Sequence, residues 1–247
     1  MRLDIVTLFP GIVEPAVSES MLGRARARGL VDIRVVNLRD YAEGRHRVTD
    51  DYQFGGGGGM VLKPEPLFAA VGALRTPQAR VVLMDPRGRR FTQDVAAELT
   101  RASHLILLAG RYEGVDERVT TGLADEVLSI GDYVLTGGEL PALVVLDAVA
   151  RFVPGVVGDG QSVVEDSFSR GLLDFPQFTR PPEIGAFRVP EVLLSGNHAE
   201  IRRWRKREAL SRTLERRPDL LDEAVLDDEE LEILRELRGS LKRETTR

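Results

Sequence analysis

"SIGDYVLTGGELPAL" (Ser129–Leu143) carries an apolar run into an apolar helix through a loop holding three glycines. On one side "DEVLSIGDYVL" (Asp125–Leu135) reads as a strand, and on the other "GELPALVVLDAVARFV" (Gly138–Val153) reads as a long helix. Two earlier segments have the same character: "LMDPRG" (Leu83–Gly88), closing the strand "RVVLMDP", and "LLAGRYEGVDERV" (Leu107–Val119), closing the strand "HLILLAG". In each, Gly or Pro stands where a strand is expected to hand over to a helix, which leaves backbone N–H and C=O groups available to a small ligand. Each is also compatible with a plain turn. Three such ends in succession point to one shared pocket, because ligands of open α/β sheets bind outside the carboxyl ends of the strands.

Working outward, strand and helix keep alternating. "LDIVTLF" and "VDIRVVNL" read as strands; "GIVEPAV", "SESMLGRARARGL", "PEPLFAAVGAL", "TQDVAAELTRA" and "VDERVTTGL" read as helices. The alternation predicts an α/β fold with a mostly parallel sheet covered on both faces. After Val153 the texture changes. "PGVVGDGQSVVEDS" reads as a linker, and "GLLDFPQFTRPPEIGAFRVPEVLLSG" is proline-rich and irregular. "NHAEIRRWRKREALSRTLERR" is a helix with Asn197 as N-cap and Glu200 completing a capping box. "DDEELEILRELRGSLKRE" runs from acidic to basic, the order that suits a helix dipole. The expected organisation is an α/β domain at 1–158, a linker at 159–170 and a smaller helical domain at 171–247.

Composition narrows the function. The chain has 247 residues, no cysteine and a formal net charge of −5. Disulfides, thiolate zinc sites and cysteine nucleophiles are excluded, and a reducing cytoplasm suits the composition. The first residues read as a strand and not as a signal peptide, and no apolar run approaches the roughly 20 residues that span a bilayer. Charge is segregated: Arg180–Arg217 holds ten Lys/Arg against five Asp/Glu, and Pro218–Arg247 reverses the ratio. An acidic protein can hold a polyanion on such a patch, although solvated helix faces give the same count. His46, His104 and His198 are far apart and make no zinc spacing.

The most visible motif is the five-glycine run in "DDYQFGGGGGMVLKPEP" (Asp50–Pro66). A phosphate-binding P-loop needs Lys and Ser/Thr directly after its last glycine, between a strand and a helix. Here Met60, Val61 and Leu62 follow, Lys63 precedes a proline, and no strand leads in. The expectation is a long loop, Tyr41 to Lys63, whose glycines supply positive φ. The "FPGIVEP" after the first strand likewise lacks the dinucleotide fingerprint G-x-G-x-x-G.

Taken in order, "LFPG", "GRYEGVDERV", "SIGDYVLTGGELPAL", "RFVPGV", "EDSFSRGLLDFPQFTRP" and "VPEVLLSGNHAEIRRWR" resemble the bacterial tRNA (guanine-N1)-methyltransferases, of the SPOUT class, over nearly the whole chain. The glycine run is similar to the family's GGGPGM segment, with Gly58 where proline is usual. Asp85 stands where a small residue or Ser is usual.

The resemblance implies a deep trefoil knot built by the three strand-end loops, a homodimer with active sites shared between chains, and a cytoplasmic enzyme moving a methyl group from S-adenosylmethionine to N1 of guanosine 37 in tRNA. It implies Asp166 as the base for the N1 proton, Arg151 as donor to O6, and Glu113 beside the sulfonium. Read from the sequence alone, Asp166 is an N-cap for "SFSRGLL", Arg151 a cation at a helix C-terminus, and Glu113 a solvated turn residue. The implied cofactor site is Gly110, Ile130, Gly131, Asp132, Tyr133, Val134 and Leu135, with Pro86, Tyr112, Gly137 and Gly138 as neighbours. Gly57, Gly58 and Gly59 would approach the substrate. Arg202, Arg203, Arg205 and Lys206 would meet phosphates, while Trp204, with Ile201 and Leu210, is read as core and not as a base-stacking platform. Family members depend on magnesium, so Mg²⁺ is expected without an assignable position. The alternatives are a SPOUT enzyme acting on ribosomal RNA and a non-catalytic RNA-binding protein.

Overall fold

A computed structural model describes residues 1–158 and 166–244; of the expected linker, 159–165 lie outside the described residues. The chain divides into two compact units, Met1–Gly160 and Gln161–Arg247.

The first unit is an α/β fold around five parallel strands: β1 (Arg2–Thr7), β2 (Asp32–Asn37), β5 (Ala79–Arg90), β6 (His104–Ala109) and β7 (Glu126–Ser129). Their order is β2-β1-β6-β5-β7, and every neighbouring pair is parallel. All six residues of β6 are buried, as expected of a central strand covered on both faces. Successive side chains alternate between faces. Leu105 and Leu107 join a core with α1 (Pro10–Ser18), α2 (Ser20–Ala27), α4 (Gln93–Leu99) and α6 (Glu139–Arg151). Ile106 and Leu108 join the core of α3 (Pro64–Leu74) and α5 (Glu117–Gly122).

Three details depart from the sequence reading, and all three shape the carboxyl end of the sheet. "LMDPRG" does not hand over to a helix. It is a bulge inside β5: Met84 and Arg89 both stand opposite Leu128 of β7, and the intervening residues loop out. A Cβ on Gly88 would come within 2.5 Å of the Val127 carbonyl carbon and 2.6 Å of the Leu128 nitrogen, so only glycine lets the returning strand press against β7. Strand β7 stops at Ser129, leaving Ile130–Leu135 as loop. The stretch Tyr41–Lys63 holds its own antiparallel hairpin, β3 (Asp50–Tyr52) with β4 (Met60–Leu62), and the glycine run is its tip.

The far end of the sheet is closed by buried polar pairs. Asp4, fully buried, accepts from Arg2 Nε at 3.0 Å and lies 3.0 Å from His104 Nε2; Thr76 Oγ1 lies 3.1 Å from the other ring nitrogen.

The second unit packs α8 (His198–Arg216) and α9 (Asp228–Glu244) around Leu172, Leu210 and Ile233. The segment expected to be irregular forms a small hairpin, β8 (Glu183–Ile184) with β9 (Phe187–Arg188), and a short helix α7 (Glu191–Leu194). Asn197 caps α8, accepting from Ala199 N at 3.2 Å and Glu200 N at 3.4 Å. Its own N–H donates to Ser195 Oγ at 3.1 Å, the part assigned from sequence to Glu200. "SFSRGLL" is a series of turns and not a helix.

Candidate active site

Outside the carboxyl ends of β5, β6 and β7 lies a cavity of about 430 Å³. Its walls are the β5 bulge, the loop after β6, the loop between β7 and α6, and Val61 of β4. All belong to the first unit. The structure brings Pro86, Gly110, Tyr112, Ile130, Gly131, Tyr133, Val134, Leu135, Gly137 and Gly138 together on this cavity, with Glu113. Asp132 is exposed and is not a wall residue.

Close backbone approach builds the pocket. Gly138 N–H donates to Gly110 O at 2.8 Å, and Arg111 bridges to Gly137. A Cβ on Gly138 would come within 2.7 Å of both Ala109 Cα and Gly110 N, so a side chain there would drive the two loops apart. Gly131 turns with φ +145°, and Ser129 Oγ closes that turn, accepting from Gly131 N at 3.3 Å and donating to Gly131 O at 3.2 Å.

A buried carboxylate ties these loops to the sheet. Glu139, at the start of α6, accepts from Thr7 Oγ1 at 2.8 Å and from Arg111 Nε at 2.9 Å. Its side chain is 1% exposed. Arg111 also donates to Thr136 O at 3.1 Å and lies 4.5 Å over the Phe9 ring. Thr7 ends β1, Arg111 follows β6 and Thr136 precedes α6, so one cluster fixes three chain segments. Thr7, Arg111 and Glu139 carried no signal in the sequence: an acidic residue in a first helical turn is ordinary, and only the fold places Thr7 beside it.

Charge within the cavity is already balanced in part. Asp85, the unusual residue of the bulge, accepts from Arg87 N at 2.8 Å and pairs with its guanidinium at 2.9 Å. That hydrogen bond holds the Asp85 carboxyl below the usual carboxylate range. Tyr112 takes a left-handed conformation, φ +65°, uncommon for a residue with a side chain. Burial first, and then the Asp50 charge and hydrogen bond, push its phenol up.

The glycine hairpin reaches the same place. Glu113 N–H donates to Met60 O at 3.0 Å and Leu62 N–H to Gly114 O at 2.9 Å, which sews β4 to the loop after β6. Gly59 has φ +78°, and a Cβ on it would collide with the Glu113 side chain. A Cβ on Gly57, φ +126°, would collide with Gln53. Gly58 alone of the five lies outside the left-handed region, so it is the one position of the run where a positive φ does not exclude proline.

The remaining candidates lie elsewhere. Arg151 is half-buried in the last turn of α6. Asp166 is half-buried in the second unit, and its carbonyl accepts from Ser169 N at 3.2 Å. On α8, Lys206 pairs with Asp227 and Glu229, each at 2.7 Å, and Arg203 with Glu229 and Glu236 at 3.6 and 3.7 Å. Arg205 lies over the Phe175 ring, and Arg202 is exposed. Trp204 is not core: it is half-buried on the wall of an open cleft.

Comparison with known proteins gives this architecture a context. The family model described as tRNA (Guanine-1)-methyltransferase TrmD matches residues 1–223. Proteins named tRNA (guanine-N(1)-)-methyltransferase are similar over almost their whole length. The one from Dictyoglomus turgidum is 52% identical over 244 residues, 99% of each chain. The one from Pelotomaculum thermopropionicum is 55% identical over 245 residues, 98% of each. The one from Symbiobacterium thermophilum is 56% identical over 236 residues, 93% of this chain and 95% of its own.

Removing one partner of a buried ion pair leaves the other uncompensated. Glu139→Gln is expected to cost about 3 kcal/mol in denaturant unfolding, the low end of that range because Arg111 keeps 17% of its side chain exposed. Hydrogen exchange at the Gly138 amide is expected to accelerate with it. Unchanged stability and exchange would remove Glu139 from the centre of the site.

Proposed function

Because the chain belongs to the tRNA (guanine-1)-methyltransferase family, we propose that it transfers a methyl group from S-adenosylmethionine to N1 of guanosine 37 in tRNA, next to the anticodon. It is an S-adenosylmethionine-dependent tRNA (guanine-N1)-methyltransferase. The observation that carries the assignment to this site is the cavity at the carboxyl ends of β5, β6 and β7, walled by three loops whose glycines permit the closest backbone approaches. Its volume lies within the range of small-molecule sites, roughly 300–1,000 Å³. Its apolar walls, Leu128, Ile130, Val134 and Leu135, suit the adenosine portion, and the loop backbone offers hydrogen bonds. The Asp85–Arg87 pair leaves Glu113 as the carboxylate on the wall without an ion-pair partner among the described residues, and it suits a sulfonium.

When bound, S-adenosylmethionine supplies an electrophilic methyl group on a positively charged sulfur. Guanine N1 carries a proton at neutral pH and is a poor nucleophile until that proton leaves. Asp166 is the proposed general base for it. As N1 is deprotonated, negative charge builds on O6, and the Arg151 guanidinium is the proposed donor there. Holding N1 in line with the methyl group contributes by proximity. The glycines at 57–59 let the hairpin tip come close to the target base without side chains in the way.

The loops are proposed to form a deep trefoil knot, consistent with the looped-out bulge of β5 and the Gly110–Gly138 pairing. The proposed domains are the cofactor-binding 1–158, the linker 159–170 and the tRNA-binding 171–247. A homodimer with active sites shared between chains is supported by exposed apolar residues on two neighbouring helices: Leu140 and Val144 on α6, and Phe9 and Ile12 at α1. Among the described residues no group of three or more His, Asp or Glu is arranged to hold a metal, so Mg²⁺ has no assigned ligands. No described helix is long and apolar enough to cross a membrane, and the proposed location is the cytoplasm, with tRNA.

Mass spectrometry of a G37-containing tRNA after incubation with enzyme and S-adenosylmethionine is expected to find N1-methylguanosine at position 37. Its absence with folded protein, or its appearance in ribosomal RNA instead, would overturn the assignment. Asp166→Ala is expected to lower the rate constant at least 100-fold while calorimetric binding of S-adenosylmethionine stays intact. Replacing Arg202 and Arg205 together by alanine is expected to weaken tRNA binding and reduce the slope of log K against log salt by about 1–2. An unchanged slope would place the phosphate contacts elsewhere.

A further inference from the structure

The second unit holds an open cleft of about 770 Å³, larger than the cavity of the candidate active site. It lies between the segment Phe175–Pro182, α7 and the start of α8. Its composition is unusual for a gap between structural elements. Phe175, Phe178 and Trp204 line it together with three prolines; among the described residues Arg180 and Arg205 are its only charged wall residues, with no Asp or Glu. Phe178 leaves 46% of its surface exposed, and its ring centroid lies 6.2 Å from that of Trp204 at 55°, an open aromatic wall.

The neighbouring charges sharpen the contrast. Along α8, Arg203, Lys206 and Arg207 are paired with acidic residues of the last helix or the turn before it, at 2.7–3.7 Å. Arg205 faces the cleft instead, its guanidinium 4.8 Å over the Phe175 ring. The acidic helix thus neutralises one side of α8 and leaves the cleft cationic. Stacking on Phe175 also restrains Arg205, so less side-chain freedom is lost when an anion arrives.

We propose that this cleft takes one unpaired nucleotide of the tRNA, its base against the Phe178–Trp204 wall and its phosphate on Arg180 and Arg205. The proposal rests on the tRNA reading above and adds a second contact point, separate from the methylated guanine. An occupant must bring both a flat π-face and a negative charge. A nucleotide outside a duplex brings both, and base-on-aromatic stacking is indifferent to which base it is. A paired stretch hides its base faces and offers only phosphates.

Trp204 is the single tryptophan of the chain, so its emission, excited at wavelengths where tyrosine does not absorb, reports on this cleft alone. Titration with a G37-containing tRNA is expected to quench it saturably. A fully paired RNA duplex of equal length, or S-adenosylmethionine alone, is expected to leave it unchanged. Phe178→Leu and Arg180→Gln are each expected to weaken tRNA binding roughly tenfold, with melting temperature and S-adenosylmethionine affinity unaltered. If tRNA binds and is methylated while Trp204 emission stays constant, or if Phe178→Leu binds tRNA as tightly as the parent, the proposal is wrong although the methyltransferase assignment stands. A change in emission that follows protein concentration without RNA would assign the cleft to a second copy of the chain and overturn the proposal as well. Failure of the methyltransferase reading itself would show separately, as tRNA without N1-methylguanosine.

Discussion

The buried carboxylate of Glu139 is the interaction on which the site depends. A parallel sheet delivers its strand ends to one edge, but the loops beyond them have no ladder of their own to hold them. Glu139 meets the end of β1 through Thr7 and the loop after β6 through Arg111, and Arg111 in turn holds the carbonyl of Thr136. A carboxylate so deep is tolerable only when paired and hydrogen-bonded, and here both oxygens are engaged. The same cluster that satisfies the charge thereby fixes the mouth of the cavity. Glycines complete the arrangement: at 88 and 138 a side chain would occupy space already filled by neighbouring backbone.

The glycine run plays a different part from those two positions. Four of its five residues have left-handed φ, and the run turns a tight hairpin. The hairpin is anchored by main-chain bonds between β4 and the loop after β6. Its tip is brought against Glu113 without contributing a charge or a proton of its own. The hairpin thereby borders the loop after β6 through main-chain groups.

Much of this was legible in the sequence. The alternation of apolar runs with amphipathic ones predicts the parallel sheet, and Gly and Pro at the three strand ends predict a pocket there. What escaped was long-range or two-sided. The bulge in β5 looks like a strand end because Pro86 and Gly88 usually stop strands; it continues because Gly88 can lie against β7. The hairpin around the glycines has strands of only three residues each, too short for a period-two signal. The Thr7–Glu139 bond spans 132 positions and no local pattern announces it. Trp204 looked like core because Ile201 and Leu210 share its helix. The aromatic segment that makes its surroundings a cleft lies some 25 residues upstream, in a stretch whose prolines read only as irregular.

The two units differ in the surfaces they present. The first has a cavity with apolar walls and a nearly neutral interior, the second a basic helix with one face screened by acid. Three loops at the carboxyl ends of β5, β6 and β7 are proposed to form the binding site of the methyl donor. Crystals grown with S-adenosylhomocysteine test it most directly. Ligand density is expected in the cavity, against the backbone of Gly110–Tyr112 and Ile130–Gly138. Density elsewhere, whether in the cleft beside Trp204 or around the glycine hairpin alone, would contradict it.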